Sequence, residues 1–272
     1  MHVLNSLRRA PRFVVLLAVV AAVGAGAVAY AGGYGPGTTG FTPNKADQVT
    51  NIDVLRAEIK NYYGAPDAKT GPNGTWADPL NLDSNYAHET DSVASAGARW
   101  LAAKDNVSGK AIVLDVDDTT LATWNYELYS NWDYNPGTNE TFVDDGLFPA
   151  VPGMVDMVNQ AKEDGYKVFF ITGRPFVQEA ATLANLESVG YPDPDPVGSD
   201  DGLFTKPKTG PVPGYLVCWP DCSTIQYKSL TRQHIEDEGY EIVANFGDQY
   251  SDLIGGYADR TFKLPNPNYY LP

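Results

Sequence analysis

Four short polar clusters carry the chemistry open to this sequence. The first is Asp115-Val-Asp117-Asp118-Thr-Thr, which follows at once on the apolar run Ala111-Ile-Val-Leu114. Side chains at i and i+2 of an extended chain point the same way, so Asp115 and Asp117 are expected to face one site while Asp118 turns away. Two adjacent carboxylates without a cation force one pKa up strongly. A divalent cation lets both stay ionised, and all-oxygen ligation suits Mg²⁺. Taken alone, Asp-x-Asp after a strand also reads as a solvated acidic turn. In the second cluster, Gly247-Asp248-Gln-Tyr-Ser-Asp252, the two acids share a face if a helix starts there. Thr172 offers a hydroxyl beside Gly173, whose exposed N–H can meet an anion. Lys228 opens a helical stretch and is a point charge of the kind that binds phosphate.

These residues need a frame that delivers them to one place. Residues 111–114, 168–171 and 242–246 are continuous apolar runs, each followed directly by one of the polar clusters. Such runs are expected for strands buried on both faces of a parallel sheet, and ligands of such sheets sit at the carboxyl ends of the strands. The expected fold is therefore α/β, a Rossmann-like parallel sheet with helices on both faces. Helical stretches at about 152–164, 176–189 and 228–238 supply the crossovers. Two more, about 50–62 and 85–104, precede the first strand. Gly32, Gly33 and Gly35 follow no strand, so the Gly/Pro-rich stretch of residues 32–49 reads as a linker and not as a nucleotide loop.

Composition narrows the function classes. The chain of 272 residues is 43% hydrophobic, enough for a sizeable core. Its 34 acidic residues against 19 basic ones, a formal charge of −15, exclude a protein that coats a nucleic-acid polymer or docks on anionic lipid. Arg8, Arg9 and Arg12 precede an apolar run from Phe13 to Ala31 that contains A-x-A sites at Ala25–Ala27, Ala27–Ala29 and Ala29–Ala31. Residues 1–31 are thus expected to be an export signal; the alternative is an uncleaved membrane anchor, since the run is just long enough to span. Either way the rest of the chain lies outside the cytoplasm, secreted or extracytoplasmic, and loss of three arginines takes −15 to −18. Cys218 and Cys222 can oxidise there, and Cys-Trp-Pro-Asp-Cys reads as a small loop closed by a disulfide, Pro220 disfavouring a helix between them.

Taken together and in order, Asp115-x-Asp117-x-Thr119, Thr172, Lys228 and Gly247-Asp248-x-x-x-Asp252 resemble the signature of the haloacid dehalogenase (HAD)-like hydrolases. Tyr227-Lys-Ser229, Glu238-Gly-Tyr240, Gly247-Asp-Gln249, Ser251-Asp252 and the tail Phe262-Lys-Leu-Pro-Asn-Pro-Asn-Tyr-Tyr270 look like the secreted acid phosphatase branch. That branch holds plant vegetative storage protein-type phosphatases and bacterial class C nonspecific acid phosphatases, and the likeness covers about 85–272. It implies an exported, Mg²⁺-dependent acid phosphatase of residues 50–272 that hydrolyses small phosphomonoesters through an aspartyl-phosphate. Asp115 would be the nucleophile and Asp117 the acid and base. Asp115, Asp248 and the backbone carbonyl of Asp117 would hold Mg²⁺, with Asp252 in support, and Thr172, Gly173 and Lys228 would bind the phosphoryl group. The alternative is a non-catalytic storage or phosphate-binding protein on the same fold, and retention of Asp115 speaks against it.

Two stretches depart from the family pattern. An aromatic segment from Trp124 to Tyr134 lies in a cap insert at about 122–150. Trp124 and Tyr126 are either leaving-group contacts or packing against the N-terminal helices. A Pro-rich insert of about 190–224 separates Thr172 from Lys228. His2, His88 and His234 are scattered, which argues against a histidine mechanism. Arg174 reads equally as a phosphate contact or a salt-bridged strand-end residue. Lys206 and Lys208 read as a solvated loop. Asn73, Asn106 and Asn139 fit the glycan acceptor pattern.

Overall fold

The structure, a computed structural model, describes residues 44–64, 80–208 and 211–271. The chain divides into two units, Met1–Val49 and Thr50–Pro272. Of the first, residues 44–49 are described and hold one 3₁₀ turn, Ala46–Gln48; the expected signal, nearly all of the expected linker and Asn73 lie outside the described residues. The second unit is built on five parallel strands in the order β3-β2-β1-β4-β5: β1 Lys110–Leu114, β2 Lys167–Pro175, β3 Leu203–Lys206, β4 Glu241–Gly247 and β5 Thr261–Lys263. Three of them are the expected apolar runs. The other two are strands of four and three residues, too short to announce themselves, and β3 lies inside the Pro-rich insert.

The alternation along β1 divides the core. Ile112 and Leu114 belong to one cluster with Phe170, Val243 and Phe246. Ala111 and Val113 belong to the other with Phe169, Ile171 and Ile242. Both faces of the sheet are therefore buried, which is why its strands are apolar throughout. Helices α2 (Asn85–Ala102), α5 (Met154–Glu163) and α6 (Glu179–Ser188) pack on the first face, and α7 (Thr224–Asp237) covers the second. A Cβ on Gly97 would come within 2.7 Å of the Phe246 ring, so the small residue lets α2 lie close on β4.

Local chemistry sets the helix ends. Ser223 accepts from the Gln226 N–H and Gln226 reaches back to the Ser223 N–H, a capping box that starts α7 at Thr224. The helix therefore starts four residues earlier than expected, and Lys228 lies in its second turn. Just before this cap, Cys218 and Cys222 form the expected disulfide, with Cα atoms 5.0 Å apart. The insert is fastened to α7 and β3 around it: the Tyr227 hydroxyl donates to the Phe204 carbonyl at 2.9 Å, and His234 stacks on Tyr215 and meets Asp200 at 3.1 Å.

Between β1 and α5 stand two short helices, α3 (Trp124–Ser130) and α4 (Pro136–Asp144). Trp124 is buried, its ring stacked on Tyr63 at 4.0 Å, just past α1 (Ile52–Tyr62), and Tyr63 stacks in turn on Tyr86 of α2. Such pairs contribute about 0.5–1.5 kcal/mol each beyond their buried area. Tyr126 is buried too, with its ring edge on Phe142 and its hydroxyl donating to the Asn135 carbonyl. Of the two readings of these residues, packing is the one their contacts describe. Among the described residues no helix is long and apolar enough to cross a membrane.

Candidate active site

The strand order reverses direction at β1, with β2 on one side and β4 on the other. A crevice forms at such a switch point, and three of the four polar clusters converge there. Asp115 leaves β1 and is anchored by its N–H to the Phe246 carbonyl of β4 at 3.0 Å. Its carboxylate accepts a short hydrogen bond from the Lys228 ammonium, which also donates to Asp252 Oδ1 at 2.6 Å. Asp115, Asp248 and Asp252 are all buried, and each offers an oxygen within 4.8 Å of the other two.

Asp248 and Asp252 meet by a different route from the expected shared helix face. The helical turn α8 (Tyr250–Leu253) starts two residues after Asp248, and Asp252 Oδ2 turns back to accept from the Gln249 N–H at 2.8 Å. A Cβ on Gly247 would stand 2.4 Å from the Asp252 Cβ, so only glycine lets this turn fold onto the end of β4. From the far side, buried Arg232 donates to the carbonyls of Asp252, Ile254 and Gly256 and clamps the turn to α7.

Three buried acids served by one ammonium are electrostatically unbalanced. Burial pushes Asp115 up to about 7, the Lys228 charge pulling it down and Asp252 and Asp117 pushing it up. Asp248 is held well above the carboxylate range by burial, then by Asp252, Asp115 and Asp118. Burial disfavours the Lys228 ammonium, but Asp115 and Asp252 more than reverse this and raise its pKa. A buried excess of negative charge is relieved by protons or by a cation. The all-carboxylate donor set fits a hard divalent ion, so the cluster can hold one.

Asp117 stands apart from that trio. Its carboxylate accepts from Arg174 through Nε at 3.2 Å and Nη2 at 2.6 Å, a two-pronged grip that fixes its direction. With its side chain 33% exposed it meets solvent, whereas those of Asp115 and Asp252 are 8% and 5% exposed. Arg174 is the salt-bridged strand-end residue of the two readings; it also donates to Thr182 of α6. Thr172 is buried at the end of β2, where its hydroxyl accepts from the Arg174 N–H at 3.1 Å. Gly173 is exposed, with nothing within 4 Å of where a Cβ would stand, so its backbone can be approached closely there. Asp118, with a left-handed φ of 53°, turns away as expected. It accepts from the N–H and hydroxyl of Thr123 at 2.8 and 2.6 Å, and so closes the loop that follows β1.

Several residues of this site were not singled out by type and spacing. Thr119 and Gln249 both donate to Asp248, at 3.3 and 2.6 Å, and Asn266 joins them from the chain's tail. Lys206 ends β3 half-buried, not in a solvated loop, and its ammonium is disfavoured by burial and by the charges of Lys208 and Lys228. The signal for Asn266 was its place between Pro265 and Pro267, which hold the tail extended.

The model of the family HAD superfamily, subfamily IIIB (acid phosphatase), matches residues 83–272. Acid phosphatase 1 of Solanum lycopersicum is 32% identical over 197 residues, covering 68% of this chain and 69% of that protein. The stem 28 kDa glycoprotein of Glycine max is 32% identical over 164 residues, 58% of this chain, and the chain spans 59% of that glycoprotein's length. Vegetative storage protein 2 of Arabidopsis thaliana is 29% identical over 240 residues, 84% of this chain and 77% of that one. Among solved structures, the class C acid phosphatase from Bacillus anthracis has the same fold, with a TM-score of 0.51 at 21% identity over 68% of this chain and 80% of that chain.

Proposed function

The chain belongs to the acid phosphatases of HAD subfamily IIIB, and from that premise we propose that it is an exported, Mg²⁺-dependent phosphomonoesterase working through an aspartyl-phosphate. The observation that carries the proposal is the buried Asp115 at the end of β1, held by Lys228 beside Asp248 and Asp252. The Asp115 carboxylate attacks phosphorus, and the bond from phosphorus to the ester oxygen breaks. Asp117 gives its proton to the departing alcohol, then takes one from the water that attacks the aspartyl-phosphate. That second attack breaks the bond between phosphorus and Asp115 and releases phosphate. The exposure of Asp117 supports this division of labour, because the acid and base must exchange protons with solvent. Lys228, the Thr172 hydroxyl and the Gly173 N–H bind the phosphoryl oxygens. When bound by Asp115, Asp248 and the Asp117 backbone carbonyl, with Asp252 in support, Mg²⁺ supplies charge neutralisation for the transferring group.

Trp124 and Tyr126 have no surface to offer a leaving group, and Tyr134, 66% exposed and near enough to Asp117 for its hydroxyl to feel that charge, takes that place on the cap. Residues 1–31 direct export, 32–49 link, and 50–272 form the phosphatase domain; the Cys218–Cys222 bridge supports an oxidising compartment. Similarity to a vegetative storage protein favours a second reading, a storage or phosphate-binding protein on the same fold. Hydrolysis of p-nitrophenyl phosphate at mildly acidic pH separates the two. Turnover is expected, with loss of at least about 10³-fold in Asp115→Asn and in EDTA. Full activity in Asp115→Asn would exclude the aspartyl-phosphate route, full activity in EDTA would exclude the need for a divalent cation, and binding of phosphate without turnover would favour storage.

A further inference from the structure

The C-terminal tail reaches the site from outside the four polar clusters. After β5 the Leu264 N–H donates to the Gly247 carbonyl at 2.9 Å, which lays residues 264–271 beside the end of β4. Asn266 Oδ1 accepts from the Asn268 N–H at 2.9 Å. This settles which way the amide faces, because a backbone N–H can only donate, so the oxygen must face it and the NH₂ must point the other way. Asn266 Nδ2 then donates to Asp248 Oδ2 at 2.7 Å and to Asp118 Oδ2 at 3.3 Å. One amide thereby ties the acid after β4 to the loop after β1. Gln249 is set in the same manner: its Oε1 accepts from the Leu271 N–H at 3.2 Å, and its Nε2 donates to Asp248 Oδ2 at 2.6 Å. Both strong bonds fall on the same oxygen of Asp248. Among the described residues Oδ1 receives only the Thr119 hydroxyl, at 3.3 Å.

We infer that Asn266 is a positioning residue for cation binding: with Gln249 it occupies Asp248 Oδ2 and so presents Oδ1 to the divalent ion shared with Asp115 and Asp252. The inference rests on the proposed metal-dependent function and adds a residue from the tail to it. Partners of this kind orient a ligating carboxylate, and their loss commonly costs about 10–100-fold in metal affinity. Two prolines, Pro265 and Pro267, flank Asn266 and restrict the backbone that aims it.

The test is direct binding of Mn²⁺ to the full chain, read from the electron paramagnetic resonance signal of the free ion. Asn266→Ser keeps a side-chain oxygen for the Asn268 N–H, so the tail turn survives while the reach to Asp248 is lost. Its Mn²⁺ affinity is expected to fall about 10–100-fold, with kcat recovering as Mg²⁺ is raised. Asn268→Ala is the control: it removes the tail's bonds to Tyr63 and Trp132 without touching Asp248, and its affinity is expected to stay within about threefold of the parent, the spread to be expected of a change outside the ligand shell. Asn266→Ala serves if the serine variant does not fold. Parent-like Mn²⁺ affinity in the Asn266 variants, or an equal loss in Asn268→Ala, overturns the inference while leaving the proposed function standing. A parent chain that binds no Mn²⁺ overturns both.

Discussion

Glu127, on the cap helix α3, is a buried acid whose carboxylate meets no ion pair or side-chain hydrogen bond among the described residues. Burial, and then the nearby charge of Asp118, push its carboxyl up from 4.5 to about 8. A carboxyl whose pKa rises on folding favours the native state fully below about 4.5, progressively less as pH climbs, and not at all above about 8. At about 1.4 kcal/mol per unit, the ionised form weighs against folding by less than about 1 kcal/mol at pH 5, and by about 3 kcal/mol at pH 7. Glu127→Gln, neutral at every pH and nearly the same shape, removes that burden. The variant should therefore gain about 2–2.5 kcal/mol more over its parent at pH 7 than at pH 5. For a domain of this size the extra gain is about 4–10 °C in Tm. Thermal unfolding followed by circular dichroism at both pH values, parent and variant side by side, measures it. A difference in Tm between the two chains that is the same at pH 5 and pH 7 would mean that Glu127 titrates alike folded and unfolded, and the assignment would be wrong.

Two further outcomes follow from the site's geometry. Arg174→Lys keeps a charge near Asp117 but loses the two-pronged grip through Nε and Nη2; kcat for p-nitrophenyl phosphate should fall by about 10–100-fold, with KM little changed. An unchanged kcat would show that Asp117 needs no fixed direction. Gly247→Ala drives a methyl into the Asp252 Cβ, 2.4 Å away; the chain should lose about 1–3 kcal/mol of stability in urea unfolding, and turnover should drop because Asp252 and Lys228 move together. Retention of both would mean that α8 can shift at no cost.

The positions of the candidate site residues were legible because their surroundings are local. Asp115, Thr172 and Asp248 each follow an apolar run, and a strand that ends in polar residues delivers them to one edge whatever the rest of the chain does. The bridge between Cys218 and Cys222 was readable because its ends are only four positions apart in sequence. Strands β3 and β5 were not readable: four and three residues of ordinary composition become strands only because a neighbouring edge offers them hydrogen bonds. Trp124 and Tyr126 were ambiguous for a like reason. An aromatic side chain suits a buried stack and a ligand platform equally, and rings outside the segment, Tyr63 for Trp124 and Phe142 for Tyr126, decide between them.

By itself, then, the sequence determined which side chains stand at the carboxyl ends of a parallel sheet, because strand burial and strand termination are written in short runs. Its net acidity said nothing about a few buried acids gathered around Lys228. Only the tertiary structure decided how the acids divide: Asp115, Asp248 and Asp252 into one buried cluster, Asp117 outward onto Arg174, Asp118 into the loop it closes. It alone placed Asn266 against Asp248, 18 residues away along the chain. Those assignments depend on which groups meet across the fold, and a hydrogen bond or an ion pair is set by distance in space, not by separation in sequence.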